Sequence, residues 1–236
     1  VRNGYEFVGW STEIFGEVQY NDQSDVNSVD IYNLLLNEND EYTLNLYAVW
    51  NIVNYSITYE LNGGLFESNR IEKYNVETFD ELVNPVRIGY TFEGWKLNDA
   101  IVSITDLKNT LTDVTLSASW VNNVYTISYH GINTDGTLVV DQVKYDENYT
   151  IKTLDNVDGK VFLGWSLEEN GSVYYGAGIE VKNLSTGNDD INLYPVYLKT
   201  DYSINYALLG GNFVEGYTPV TSYNIENIDT LNNELP

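Results

Sequence analysis

The chain has 236 residues, with 35 acidic against 11 basic side chains and a formal charge of −24. Nucleic acid and anionic lipid surfaces are both held by a basic footprint, so this balance argues against either as a partner. The absence of cysteine leaves out disulfides and thiolate metal sites, and 21 tyrosines in a 14% aromatic content favour strands, where flat rings cover a pleated surface.

The chain opens on Gly4-Tyr5-Glu6-Phe7-Val8-Gly9-Trp10, GYEFVGW, a strand phrase. Residues 30–36 carry the best helical pattern. Leu44 to Trp50, LNLYAVW, closes this segment as a second strand. Residues 51–54 then read as a linker.

Tyr55-Ser56-Ile57-Thr58-Tyr59-Glu60-Leu61 alternates, with Tyr55, Ile57, Tyr59 and Leu61 on one face, which is the pattern of a half-buried strand. Asn62-Gly63-Gly64 supplies a turn. Residues 70–74 read as a shorter second strand, giving a hairpin. Thr78 and Glu81 have the spacing of a helix cap, predicting a helical turn over residues 78–82 that Asn84-Pro85 ends. Gly89-Tyr90-Thr91-Phe92-Glu93-Gly94-Trp95, GYTFEGW, predicts a third strand with Tyr90 and Phe92 on one face. Gly94 before Trp95 marks a bulge or a close backbone approach. Ile104-Thr105-Asp106-Leu107 begins a short helix, and Val114 to Trp120, VTLSASW, is the last strand.

The same phrases then return. After a linker at residues 122–124 come Tyr125-Thr126-Ile127-Ser128-Tyr129, Gly159-Lys160-Val161-Phe162-Leu163-Gly164-Trp165 and INLYPVYL, with Tyr197 in the closing tryptophan position. A third linker at residues 199–201 precedes Tyr202-Ser203-Ile204-Asn205-Tyr206. Trp10, Trp95 and Trp165 stand 85 and then 70 residues apart, and Tyr55, Tyr125 and Tyr202 stand 70 and then 77 apart. A unit of this length exceeds the ~20–50 residues of a solenoid repeat and is long enough for a small core of its own. The expectation is α+β and mostly β: small, mostly antiparallel modules in an extended tandem array. Residues 1–50 are the C-terminal part of a repeat, 54–120 and 123–198 are complete repeats, and 202–236 are the N-terminal part of another.

Pro236 matches Pro85 and Val1 matches Val86, so both ends fall at one phase of the repeat. Two readings stay open. The chain is a window from a longer protein, or the terminal half-repeats complete each other between chains, head to tail. With no initiating Met and no signal peptide it reads as an interior piece, and no stretch approaches the ~20 apolar residues of a membrane span.

These phrases carry a family resemblance. YSITYELNGG, NPVRIGYTFEGW and LNLYAVW are similar to the wording YxVxFxxNGG, PxxxGYxFxGW and LTLYAxW of the Listeria–Bacteroides repeat, also called the internalin-type B-repeat. The resemblance covers nearly the whole chain. It implies a compact β-grasp (ubiquitin-like) module, found in secreted or wall-attached bacterial surface proteins as stalks and as adhesive or protein-binding segments, without enzymatic activity. Lys160, Tyr197 and Gly131-Ile132-Asn133 depart from the pattern and make the third unit the least stable expectation.

Candidate chemistry is thin. The single histidine, His130, has the outward phase of its strand and reads as solvent-facing. Asp22-Gln23-Ser24-Asp25, Asn188-Asp189-Asp190 and Asn133-Thr134-Asp135-Gly136 do not fit a calcium loop ending in Glu, and the last reads as a turn. Glu168-Glu169 and Asp189-Asp190 are adjacent acids in loops, not a spaced catalytic pair. Trp10, Trp95 and Trp165, with Trp50 and Trp120, recur by position, which marks a module core; Tyr174 and Tyr217 lie outside the phrases and suit surface contact. No catalytic residue, cofactor or metal is expected, and binding residues stay unknown.

The function expected is a non-enzymatic extracellular repeat segment, a stalk or spacer on a cell surface or cell wall. Weak multivalent adhesion to a host or bacterial surface protein or glycan would gain avidity from repetition. The competing reading is a carbohydrate-binding array of a secreted glycan-active enzyme. The segment itself inserts in no membrane.

Overall fold

The structure, a computed structural model, describes residues 1–22, 35–36, 42–187 and 189–227. The chain divides into two compact units, Val1–Arg87 with Phe92–Val121, and Ile88–Thr91 with Asn122–Pro236. Both are mostly β, with several small sheets.

The first unit opens on β1 (Tyr5–Ser11). The helix expected over residues 30–36 lies mostly outside the described residues; its last two, Leu35–Leu36 (β2), are strand and pair with Tyr42–Thr43 (β3). Next come β4 (Tyr47–Ile52), β5 (Tyr55–Glu60), β6 (Lys73–Tyr74), β7 (Tyr90–Leu97), β8 (Ala100–Val102), α1 (Ile104–Leu107) and β9 (Val114–Asn122). β1 and β4 form a two-stranded sheet, and β6-β5-β9-β7-β8 form a five-stranded one.

The strand pairs are mostly antiparallel, as expected, with one parallel pair at the centre of the larger sheet: β5 runs beside β9 with Ile57 opposite Val114 and Tyr59 opposite Leu116. Period-two patterning reports which face is buried and is silent on strand direction; the long crossover from β5 to β9 permits the parallel pair. The helical turn at residues 78–82 is absent. Asn75 instead folds the chain back locally, its Oδ1 accepting from Glu77 N at 2.9 Å while its own N–H donates to Thr78 Oγ1 at 2.9 Å. A side chain that bonds neighbouring backbone groups in this way competes with a helix start.

The short helix at Ile104 does form. Ser103 caps it, and Asp106 returns a bond to the Ser103 backbone in a capping box. Leu107, fully buried, ties it to a core of Ile57, Tyr74, Trp95, Val114, Leu116 and Ala118.

The second unit contains β10 (Val124–Tyr129), β11 (Val139–Lys144), β12 (Asn148–Thr150), β13 (Lys160–Ser166), β14 (Tyr175–Gly176), β15 (Glu180–Lys182), β16 (Asp190–Lys199), β17 (Tyr202–Ser203) and β18 (Ser222–Tyr223). Its five-stranded sheet, β11-β10-β16-β13-β14, repeats the arrangement of the first, again with a parallel centre in which Tyr129 faces Leu193. The core gathers Tyr125, Ile127, Tyr129, Phe162, Trp165 and Leu193. The linkers are shorter than the sequence suggested, because Asn51, Asn122 and Lys199 already lie in strands.

The glycine before each phrase tryptophan has a structural cause. The register slips between Phe7 and Gly9 on β1 and between Phe162 and Gly164 on β13. Such a bulge adds a residue, so Phe and Trp, three apart, meet on one face. Their ring centroids are 5.2 Å apart for Phe7–Trp10, 5.4 Å for Phe92–Trp95 and 5.4 Å for Phe162–Trp165.

Candidate functional site

The tryptophans divide into two kinds. Trp95 and Trp165 are buried, and each indole N–H donates to a backbone carbonyl, of Val83 at 3.2 Å and Lys152 at 2.7 Å. Tyr59 stacks edge-on at 4.9 Å from Trp95 and Tyr129 at 4.7 Å from Trp165. These two are core. Trp10 and Trp50, on β1 and β4, are half-buried and line an open groove of about 490 Å³ with Tyr5, Phe7 and Ala48. Arg2 stands over the Tyr5 ring at its mouth, 3.6 Å from the centroid.

A second feature recurs in a form that sequence reading missed. The glycine that opens each GYxFxGW phrase packs on an apolar side chain beyond the second strand of the following phrase set. A Cβ on Gly4 would stand 2.3 Å from Val76, on Gly89 2.3 Å from Tyr145, and on Gly159 3.0 Å from Ile225. The glycine carbonyl accepts from Val53 N at 3.0 Å, Asn123 N at 2.9 Å and Thr200 N at 2.8 Å respectively. Next to it a polar side chain reaches an acid. In the first unit the Tyr5 hydroxyl donates to Glu77. In the second, the Tyr90 hydroxyl donates to Asp146 at 2.5 Å, and Lys199 pairs with Glu226.

The electrostatics agree with this geometry. Bonds from Asn183 and Tyr90, with the Lys182 charge nearby, hold the Asp146 carboxyl down at about 2. Lys199 lowers Glu226, and Lys160 contributes from the tyrosine position of its phrase. The Tyr-to-Lys change read as a loss therefore exchanges a hydroxyl–carboxylate bond for charge attraction. Tyr197, replacing tryptophan, still packs on Phe162 with centroids 5.4 Å apart. The available sequence signal was the acid that closes each of KYNVE, QVKYD and SYNIE.

The remaining candidates have local roles. His130 is half-buried and not fully outward: it stacks on Tyr194 at 4.1 Å, with Nε2 2.7 Å from Asn192 Oδ1. The pair borders a cleft of about 460 Å³ with Glu169 and Asn170. Asp135 caps its own turn, accepting from Thr137 N at 3.0 Å. Asp189 accepts from Ser185, and Asp190 from Ser128 at 2.8 Å. Asn188 and residues 23–25 lie outside the described residues. Tyr174 is 64% exposed, whereas Tyr217 is half-buried against Phe213. Among the described residues no group of three or more His, Cys, Asp or Glu side chains is placed to hold a metal ion.

Three stretches of the chain, residues 1–32, 55–119 and 125–196, match the family described as the Listeria-Bacteroides repeat domain. The chain belongs to this family. Its relatives include a protein of Evansella cellulosilytica whose name describes a Gly-rich membrane protein, 26% identical over 91% of this chain and 23% of the relative. A second, from the same organism and named as a membrane protein only, is 24% identical over 93% of this chain and 30% of the relative. The Listeria-Bacteroides repeat chain thus spans less than a third of either relative. Among its described residues no helix is long and apolar enough to cross a membrane.

Proposed function

We propose that this chain is a non-enzymatic, extracellular spacer segment of a bacterial surface protein, built from β-grasp modules. The carrying observation is the glycine seam. Gly4, Gly89 and Gly159 each place backbone against a following side chain, and each is flanked by a bond or ion pair to Glu77, Asp146 or Glu226. A seam of this kind restrains a joint that a flexible linker would leave free. The relatives' names support a membrane-associated parent protein, and the −24 charge favours solubility and mutual repulsion. A parallel centre flanked by antiparallel strands supports the β-grasp reading.

Small-angle scattering on chains lengthened by one repeat at a time tests the spacer role. The maximum dimension should grow by a constant step per repeat. A dimension that stays nearly constant would overturn it. Protease treatment of intact cells should also release the segment.

The glycan-binding reading has one observation in its favour, the cleft beside His130 and Tyr194 with Glu169 and Asn170. Trp95 and Trp165 are buried and offer no stacking face. A glycan panel against the chain and its Tyr194→Ala variant decides: binding lost in the variant supports this reading, and no binding by either removes it.

A further inference from the structure

One cleft of the second unit has walls that the first complete repeat lacks. It is lined by His130, Gly131, Glu169, Asn170, Tyr194 and Pro195, with a volume of about 460 Å³. All six belong to one complete repeat, residues 123–198. Position by position, His130 and Tyr194 stand where the preceding repeat has Glu60 and Ser117, at the end of the parallel strand pair. There Ser117 Oγ donates to Glu60 at 2.5 Å, and Glu60 is exposed. Here two rings stack instead, 4.1 Å apart at 18°, with Asn192 Oδ1 2.7 Å from His130 Nε2.

The facing wall comes from a longer connection. β7 and β8 are joined by residues 98–99, whereas β13 and β14 are joined by residues 167–174. Glu169 and Asn170 sit in its turn. Ser166 Oγ accepts from Glu168 N at 3.1 Å, and Gly171 N donates to Glu168 O at 3.1 Å. Asn170 takes φ +61°, which Asn tolerates better than most residues. The backbone that carries Glu169 is therefore set, and its carboxylate borders the same cleft as the rings.

Two rings and one carboxylate, with no lysine or arginine among the lining residues, suit a planar cation. An arginine guanidinium meets both groups: its face stacks on an aromatic ring and its N–H fork bonds a carboxylate. The chain makes the ring contact twice within itself, with Arg2 over Tyr5 at 3.6 Å and Arg70 over Phe66 at 4.8 Å. Arg87, the third and last arginine of the sequence, donates to Asn62 O at 3.0 Å. All three are thus engaged, and a second copy of this chain has none to offer. The excess of 35 acidic over 11 basic side chains repels such a copy and attracts a basic partner. A neutral sugar would gain from the rings but not from that charge.

We propose that the His130–Tyr194 cleft binds an arginine side chain from a basic segment of a different protein, stacked on the rings and paired with Glu169.

The single histidine of the sequence reports on the site directly, because its ring proton signals have no counterpart elsewhere in the chain. Titration with a short arginine–glycine peptide at low salt should shift them saturably, and added salt should weaken the binding. Glu169→Gln and Tyr194→Ala should each weaken it about three- to tenfold. Tyr194→Phe keeps the ring, and Glu168→Gln removes the same charge from the neighbouring residue. Both should bind like the parent chain. Equal weakening by Glu168→Gln and Glu169→Gln would mean diffuse attraction and overturn the site. A lysine–glycine peptide that binds as tightly overturns the guanidinium assignment. So does an unmoved histidine signal, or one moved by neutral glycans and not by the peptide. Should Tyr194→Ala fail to fold, the comparison of Glu168→Gln with Glu169→Gln decides alone.

Discussion

Gly164 shows how much a single residue carries. Its φ is +147°, and a Cβ there would stand 2.3 Å from the Tyr175 carbonyl oxygen. A methyl group would meet strained backbone and occupied space together, and backbone is the neighbour that cannot move aside. Gly164→Ala should cost about 2–4 kcal/mol. Because the bulge sets Phe162 and Trp165 on one face, the loss should fall on the second unit's core. Denaturant unfolding followed by Trp165 fluorescence checks this; an unchanged midpoint would show that the bulge is not required. The bulge was legible in sequence, since a glycine directly before a large aromatic inside a strand has few other causes. The acid partners at 77, 146 and 226 were not, because an exposed carboxylate leaves no mark in a hydrophobic pattern. Only alignment of the repeats, position by position, brings them out.

Among the elements, the seam on Tyr145 and Asp146 has a strength that depends on pH. The Asp146 carboxyl is depressed from its ordinary value to about 2 by its bonds to Asn183 and Tyr90. A carboxyl whose folded value is lowered contributes stability above its unfolded value and loses it as pH falls through the folded one. The window therefore runs from roughly pH 4 down to about 2. Asp146→Asn carries no titrating proton. Its melting temperature should fall less steeply across that window than that of the parent chain. Parallel pH profiles for the two proteins would mean that the contact adds nothing to folding. Strand phrases were readable from alternation, and the short helix start from residues 104–107, whereas its Ser103 cap appeared only in the structure. The parallel centre and the failed helical turn at 78–82 were not readable. Strand direction and the choice between a cap and an Asx turn are settled by what each segment packs against, which local sequence does not contain.

For the whole molecule, each complete repeat should hold its own core. The buried cluster around Trp95 draws only on residues 55–120, and that around Trp165 only on residues 125–197. A chain trimmed to residues 54–201 keeps both clusters and loses the groove, the terminal hairpin, and the contacts of Gly4 on Val76 and Gly159 on Ile225. Those two contacts are local and lie at the rims, so their loss should lower stability without removing cooperativity. The expectation is a fragment that still melts cooperatively, a few degrees below the parent chain. Loss of a cooperative transition would mean that residues outside 54–201 are part of the fold they adjoin. A retained cooperative melt fits repeats that each fold around their own buried cluster.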